Sequence, residues 1–576
     1  MAKKRRKRSN RATLPGAFYV TLACLLGSFG LVVYTQARLQ VADRSEILMK
    51  AESAWMLERL LELPAERGTI YTSDNRVLAR SRPAYEFGVF FDRVPSTPGF
   101  FMALAEAAGI SEARISVPFH SGKKNVWLDH LDTAQYKRVR LVMSEWGADG
   151  VSLKEETGRD YPLREAAVGI IGWTMGGKPQ SGVERAYDKV LSGHDGAATG
   201  IYGLDGGFRQ TGDRKEARRH GADIRLTINY ELQVVAADAI RKAVEQHKAR
   251  SGAAIVLDPA TGSILAMANW PTFDPVQGPA GSYELMTSYM EDLPPGSTFK
   301  ILTLAKALEM DVVEDEFEIV CSGALNLGQG RYVRCDMHDG VRAHGTIDLE
   351  KAIARSCNVC AASWALAIGH EEMVLFLGDV GLLDKSGLGL TSEAAPQFNP
   401  DAWDKQRQLA TLGFGQSLAV TPLGLAAALS TIANDGVYVP PRLVSHVAGK
   451  EVPMPERRRV FSREVARQVR KYMESVVHEE WGTADSLAIA GHRIAGKTGT
   501  AQKLGAEGGV VSSFVGMFPA ERPEAVVLVV VNDPQSGEIY GSRVAGPAFD
   551  DIARAVIGQL GISRSTVSAK TSRSEE

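Results

Sequence analysis

The chain has 576 residues, 44% hydrophobic and 23% charged, which excludes a wholly disordered polypeptide and, by length, a single ordinary core. Its net charge of −2 conceals seven cations and no acid in the first thirteen residues, against 59 positives and 68 negatives in the remainder. A basic tail on an acidic body fits nucleic acid or a membrane surface, and the segment that follows selects the membrane and excludes nucleic acid.

Leu14 to Gln36 carries no charged residue and is long enough to cross a bilayer as a helix. Cations before it and few after it place the N-terminus in the cytoplasm and the following ~540 residues outside it. A cleaved signal peptide is the alternative, but the apolar run exceeds a usual signal core and no small-x-small site closes it convincingly. The expected division is a basic cytoplasmic tail (1–13), a transmembrane anchor (14–36), a mixed α/β pedestal (37–222), a second domain (223–562) and a disordered polar tail (563–576).

From about residue 37 to 63, Ile47, Leu48, Ala51, Trp55, Leu60 and Leu61 recur at helical spacing until Pro64, so the sequence predicts a helix leaving the membrane. Arg67–Tyr71 and Ser73–Ala79 read as a hairpin around a polar turn. Segment 205–222 is charged and glycine-rich and reads as a linker. The second domain opens with a strand at Asp223–Asn229, then a helix with Leu232, Val235, Ala236, Ala239, Ile240, Ala243 and Val244 on one face. Ala253–Leu257, a turn at Asp258–Gly262 and Ser263–Ala268 form a strand pair; Ser513–Phe518 and Ala525–Val531 form another, and a last helix spans about Ala545–Leu560. Strands at both ends around a helical middle predict an α+β fold: one mainly antiparallel sheet, assembled from distant segments and flanked by helices.

Three short motifs carry the chemistry, and each has a decoy. Ser297-Thr298-Phe299-Lys300 follows the turn Pro294-Pro-Gly296 and opens the helical run to Leu308. Ser297 therefore sits at a helix N-terminus, and the Lys300 amine three residues on can reach its hydroxyl, a poor nucleophile without an adjacent base. Ser121-Gly-Lys-Lys124 repeats the pattern without that context and reads as a capping serine with a solvated lysine. Ser356-Cys357-Asn358 follows a helix predicted over Asp348–Arg355; its serine is placed to relay a proton and its amide to bind a carbonyl and a lysine. Ser73-Asp-Asn75 is its decoy, a turn sequence. Lys497-Thr-Gly-Thr500 lies in a strand-like stretch, where Lys497, Thr498 and Thr500 suit a carboxylate and Gly499 lets a substrate backbone pack close. Lys385-Ser-Gly387, among glycines, reads as a loop.

In this order the triple resembles the penicillin-binding protein and serine β-lactamase superfamily. Leu257–Ala266, Gly413-Phe-Gly-Gln-Ser417 with Thr421-Pro-Leu423, Gly482-Thr-Ala484 and Ser513–Gly516 extend the likeness, and Arg67-Gly-Thr-Ile70 and Gly182-Val-Glu184 resemble the pedestal of the class B enzymes. No glycosyltransferase-like module fits before residue 223, which excludes the bifunctional class A. The resemblance implies a monofunctional D,D-transpeptidase of the bacterial inner membrane, with its catalytic domain periplasmic. Ser297 would attack a D-Ala-D-Ala stem peptide with Lys300 as base, and backbone N–H groups of Ser297 and Thr500 would hold the oxyanion. Ser356, with Asn358 beside it, would pass a proton to the leaving D-Ala, and Lys497, Thr498 and Thr500 would grip its carboxylate. β-Lactams would trap the acyl-enzyme, and catalysis would need no cofactor. Implied partners are peptidoglycan stem peptides and lipid-linked precursor-derived glycan, a membrane glycosyltransferase, and division or elongation proteins. The wording around Tyr161-Pro-Leu163 and Ile170–Trp173 favours the septal type. The turn Thr72–Arg76 and Asp274-Pro-Val276 depart from the common family pattern. Two rival functions are a β-lactamase or β-lactam sensor, which shares the triple, and a largely scaffolding member of the division or elongation complex.

Cys24 lies in the apolar span, and Cys321, Cys335, Cys357 and Cys360 cluster around the second motif. Either Cys321 and Cys335 form a disulfide across a hairpin-like loop, or Cys321, Cys335, His344 and Cys357 form a closed structural zinc site.

Overall fold

The computed structural model describes residues 16–38, 59–63, 65–202, 208–210, 216–276, 278, 287–314, 318–335, 343–402, 404–503 and 508–565. The basic tail expected over 1–13, all but the first three residues of the tail expected over 563–576, and most of the helix expected over 37–63 lie outside them. The chain falls into two units, residues 1–64 with 195–219, and residues 65–194 with 220–576.

In the first unit, Gly16–Ala37 is a 22-residue α-helix without a charged side chain. At 1.5 Å per residue it spans about 33 Å, enough for a bilayer core. Leu25, Leu26 and Phe29 are all more than 60% exposed, as expected of a helix apolar all round whose solvent is lipid. The expected helix ending at Pro64 is corrected at its C-terminal end. Arg59–Leu63 is a strand, paired antiparallel with Gly196–Tyr202, which in turn pairs with Phe208–Gln210. Leu60 and Leu61 at helical spacing before a proline do not outweigh a partner strand contributed from more than 130 residues downstream.

In the second unit, Ile70–Tyr71 and Val77–Phe90 form the expected hairpin. The long strand continues to pair with Asn125–Leu131 and with Val151–Asp160. Phe87, Val89, Phe100, Phe101, Leu104 and Val139 close a separate small core over this end of the sheet. At the other end, Ile224–Leu226 pairs parallel with Ile70–Tyr71 and antiparallel with Val444–Val447, so a single sheet runs through the 222/223 position. The pedestal is pinned by Arg67, which donates from Nε to Glu184 (2.5 Å) and from Nη1 to Asp188 (2.5 Å), and by Arg159, whose Nε donates to Glu184 at 2.7 Å. Glu184 is fully buried, and two guanidinium groups share its carboxylate.

The larger core surrounds a five-stranded, wholly antiparallel sheet. Its strands in chain order are β1 (Ser251–Leu257), β2 (Ile264–Trp270), β3 (Ala495–Gln502), β4 (Val510–Phe518) and β5 (Ala525–Asn532), in the spatial order β2-β1-β5-β4-β3. Every residue of β1 and β5 is buried, so helices cover both faces and the strands read as continuous apolar runs rather than alternating ones. The covering helices used below are α1 (Tyr230–Gln246), α2 (Lys300–Glu309), α3 (Leu349–Ala354), α4 (Asn358–Ile368), α5 (Pro422–Ala433), α6 (Arg463–His478) and α7 (Gly546–Leu560). Helix α1 starts where Asn229 accepts a hydrogen bond from the Leu232 N–H, and it buries Leu232, Ala236, Ala239, Ile240, Ala243 and Val244, six of the seven residues on its expected face.

Candidate active site

The nucleophile candidate is presented by a turn, not by the helix itself. Gly296–Phe299 forms a 3₁₀ turn that runs directly into α2, so Ser297 lies one turn before the α-helix expected to carry it. Residues at i and i+3 eclipse in 3₁₀ geometry, which keeps Ser297 and Lys300 on one face. Gly296 has φ +59°, and a Cβ there would fall 2.7 Å from the Cβ of Ala501 on β3; only glycine lets the turn press against the strand. The turn is tied by Thr298 Oγ1, which donates to the Pro295 carbonyl (2.8 Å), and by the Gly296 N–H, which donates to the Gly415 carbonyl (3.0 Å). Ser297 is half-buried, and Lys300 is fully buried.

The second motif is a corner between two helices. Asp348 caps α3 by accepting from the Lys351 N–H (2.7 Å), α3 ends at Ala354, and α4 begins at Asn358. The reversal passes through Ser356 at φ +56°, a left-handed conformation that costs a non-glycine residue about 1 kcal/mol. Lys300 Nζ donates to the Ser356 carbonyl (2.5 Å), Ser356 Oγ (3.1 Å) and Asn358 Oδ1 (2.7 Å). The Asn358 amide is oriented by its Nδ2, which donates to the Arg334 carbonyl at 3.1 Å.

The third motif is on β3, the last strand in the sheet order. Lys497 Nζ donates to Ser356 Oγ (2.9 Å) and to the Thr498 carbonyl (3.0 Å), so one serine hydroxyl lies between two buried lysines. Burial, then repulsion from Lys300, holds the Lys497 amine well below the ordinary lysine range. Thr498 Oγ1 lies 3.0 Å from Thr483 Oγ1, a partner in Gly482-Thr-Ala484 that the motif alone did not assign to the site. The Gly499 position is explained from inside the protein as well: a Cβ would sit 2.2 Å from Ser513 Oγ and 3.1 Å from Thr298 Cγ2. Thr500 pairs with Ser512 along β4.

The structure thus brings Ser297, Lys300, Ser356, Asn358, Lys497, Thr498, Gly499 and Thr500 to one edge of the sheet. The decoys are elsewhere. Ser121 follows the short helix Ala113–His120 as an exposed turn residue, Asn75 closes the hairpin turn at φ +63°, and Lys385–Gly387 lies in a loop.

Beside the Ser356 corner, one ligand atom from each of Cys321, Cys335, His344 and Cys357 lies within 4.8 Å of the others. Cys321 and Cys335 sulfurs are 3.8 Å apart, Cys335 and Cys357 sulfurs 3.5 Å, and Cys335 Sγ is 3.5 Å from His344 Nδ1. The structure places no disulfide between any two of the four cysteines here, Cys360 included. The crowding of the Cys357 thiol, with burial, pushes the Cys335 pKa up to about 11. Two elements meet here that the sequence only grouped: Ile319–Cys321 pairs with Gly345–Ile347, and the hairpin Ala324–Asn326/Tyr332–Arg334 delivers Cys335.

A serine with a buried lysine one turn on, a second lysine across a shared hydroxyl, and an antiparallel sheet between helices define a serine acyl-transfer enzyme. Residues 252–554 match the penicillin-binding protein transpeptidase domain, and residues 62–226 match the penicillin-binding protein dimerisation domain. The chain belongs to the penicillin-binding proteins, in the class B arrangement of those two domains. It is 30% identical over 535 residues to the probable peptidoglycan D,D-transpeptidase PenA of Neisseria meningitidis, covering 89% of this chain and 88% of that one. It is 29% identical to the peptidoglycan D,D-transpeptidase FtsI of Escherichia coli K12, over 97% and 94% of the two chains. In fold it is similar to penicillin-binding protein 3 of Mycobacterium tuberculosis, with TM-score 0.66 and 23% identity over 88% of this chain and 98% of that one.

Proposed function

We propose that the chain is a β-lactam-sensitive peptidoglycan D,D-transpeptidase that works through an acyl-enzyme on Ser297. The observation that carries this reading is the Ser356 hydroxyl bonded to both Lys300 and Lys497 beside the Ser297 turn. Lys300, buried and anchored by Ser356 and Asn358, takes the Ser297 proton as Oγ attacks the penultimate D-Ala carbonyl. Backbone N–H groups of Ser297 and Thr500 receive the oxyanion, the kind of contact that lowers a barrier by about 3 kcal/mol. The C–N bond breaks as Lys300 returns that proton through the Ser356 hydroxyl to the departing D-Ala nitrogen, and the carboxylate of the D-Ala meets Lys497, Thr498 and Thr500. An amine on a second stem peptide then attacks the ester, Ser297 recovers its proton, and the cross-link forms. The donor backbone lies along the edge of β3.

The relatives named D,D-transpeptidases support this activity, and FtsI supports a septal role over an elongation role. The Gly16–Ala37 helix is a single-pass anchor, with the tail 1–13 cytoplasmic and the pedestal (37–222) and transpeptidase domain (223–562) in the periplasm. The partners are stem peptides, lipid-linked precursor-derived glycan, a membrane glycosyltransferase and division proteins. Catalysis uses no cofactor. The Cys321, Cys335, His344 and Cys357 cluster holds a structural zinc rather than a disulfide: a tetrahedron with Zn–S near 2.3 Å has S···S edges of about 3.8 Å, close to the observed spacings and far from a bonded sulfur pair.

The test is Ser297→Ala in the full chain. Its labelling by fluorescent penicillin and its cross-linking should both vanish with the thermal melt unchanged. Rapid turnover of penicillin by the native protein would mean a β-lactamase instead, and a Ser297→Ala variant that still complements a deletion strain would mean a scaffold.

A further inference from the structure

Cys357 is the middle residue of Ser356-Cys357-Asn358, and both of its neighbours bond to Lys300. Cys335 follows Arg334, whose carbonyl accepts from Asn358 Nδ2. Two of the four cluster residues are thus one peptide bond away from atoms that hold the catalytic amide and the lysine. The corner they brace also carries Ser356 in its left-handed conformation, which persists only where the surroundings enforce it. On the α3 side a backbone cap does so, the Ser356 N–H donating to the Ile353 carbonyl (3.2 Å) and the Cys357 N–H to the Ala352 carbonyl (2.9 Å); beyond the cap, the fully buried Cys357 side chain sets its sulfur against Cys335.

Resting on the zinc reading above, we propose that the metal is a positioning element of the active site, clamping the Ser356–Asn358 corner through the Cys357 thiolate so that Lys300 is held for acylation. Zinc binding by three thiols and a neutral imidazole releases three protons to solvent and leaves the site one negative charge overall. The bound thiolates Cys335 and Cys357 then fix both sides of Asn358: one through the Arg334 carbonyl, the other through the chain itself. Without the metal, three buried thiols and an imidazole pack without a common centre, and the corner is held from the α3 side alone, leaving Asn358 and the Arg334 carbonyl free to shift. The metal takes no part in the chemistry and touches no reacting atom. Its loss slows acylation of Ser297 by moving the groups around Lys300.

The experiment uses the full chain in detergent micelles. Metal analysis should find one zinc per chain, and all five cysteines should titrate as thiols once the protein is denatured with a chelator. Removing zinc from the folded protein should slow acylation by fluorescent penicillin roughly tenfold or more, and zinc or cobalt should restore it. In the cobalt protein, the thiolate-to-metal absorption band should shift when penicillin acylates Ser297, which a distant structural metal would not show. His344→Ala keeps all three sulfurs, so its slower acylation should be rescued by excess zinc. Zinc that can be removed and returned with no change in rate would overturn the clamp while leaving the metal site intact. Two thiols missing and no zinc would overturn the metal reading itself. A demetallated protein that loses its fold by circular dichroism would reduce the metal to a staple and overturn the positioning role.

Discussion

Two pairs of basic side chains sit in the same unit and are handled in opposite ways. In the pedestal, Arg67 and Arg159 converge on the fully buried Glu184, and Asp188 adds a second acid to Arg67. Burial works against the Arg67 charge, but Glu184 and Asp188 raise its pKa all the same. In the cleft, Lys300 and Lys497 converge on a neutral serine hydroxyl, and among the described residues no carboxylate offsets Lys497. The first arrangement is complete in the free protein. In the proposed mechanism, Lys497 meets an anion brought from outside, the carboxylate of the donor peptide or of a β-lactam. A charge network that balances itself stabilises; a buried amine without an acid beside it, as at Lys497, carries a cost that a bound anion would offset.

Four variants or conditions probe this contrast. Glu184→Ala should be the most damaging to the fold, because it leaves two guanidinium groups around an empty buried position: a loss of about 3–5 kcal/mol by urea denaturation, with residual folded protein still labelled by penicillin. An unchanged midpoint would show that the pedestal pair is not structural. Lys497→Met should act in reverse. Acylation by a carboxylate-bearing β-lactam should fall by about 10²–10³, while the melting midpoint rises, because a buried amine has been replaced by an apolar chain. A variant both slower and less stable would place Lys497 among the structural cations.

The third concerns pH. Since burial and Lys300 depress the Lys497 pKa in the folded state, the unfolded chain holds a proton that the folded chain lacks between that lowered value and 10.5. Stability from this group therefore rises with pH across that window and falls as pH drops through it, with a slope of up to about 1.4 kcal/mol per pH unit. The difference in urea midpoints between pH 7 and 9 should be smaller in Lys497→Met than in the native protein; equal slopes would contradict the assignment. The smallest effect belongs to Thr483→Val. Loss of one neutral hydrogen bond to Thr498 should slow acylation by about fivefold, expressed in the affinity for the carboxylate rather than in the chemical step.

Most of the fold around the site was legible because its signals are local. The α1 stripe, the Asp258–Gly262 turn and the two apolar strand pairs each lie within thirty residues and match their structural bounds closely. The three motifs could be separated from their decoys on context alone, since a turn before and a helix after Ser297 is a local pattern. What was not legible depends on distant partners. Leu60 and Leu61 look helical until Gly196–Tyr202 offers an edge to pair with. The place of Ser297 in a 3₁₀ turn follows from Gly296 pressing on Ala501, two hundred residues away. Arg159 was missed for the same reason: it lies in no pattern and acquires its role from Glu184 in another segment, and Thr483, although part of Gly482-Thr-Ala484, shows its pairing with Thr498 only in the structure.

The position of β3 at the end of its sheet bears on drug resistance. An antibiotic and a natural donor that both lie along this edge address the same backbone N–H and carbonyl groups, and a point substitution cannot delete a backbone group. Selection against the antibiotic is left with the side chains that border the edge, such as Thr498 and Thr483, or with small changes in strand twist. In the proposed mechanism, Thr498 also meets the peptide. Escape by substitution here is therefore bound to slow wall synthesis, and variants that evade the drug should carry a growth defect in its absence.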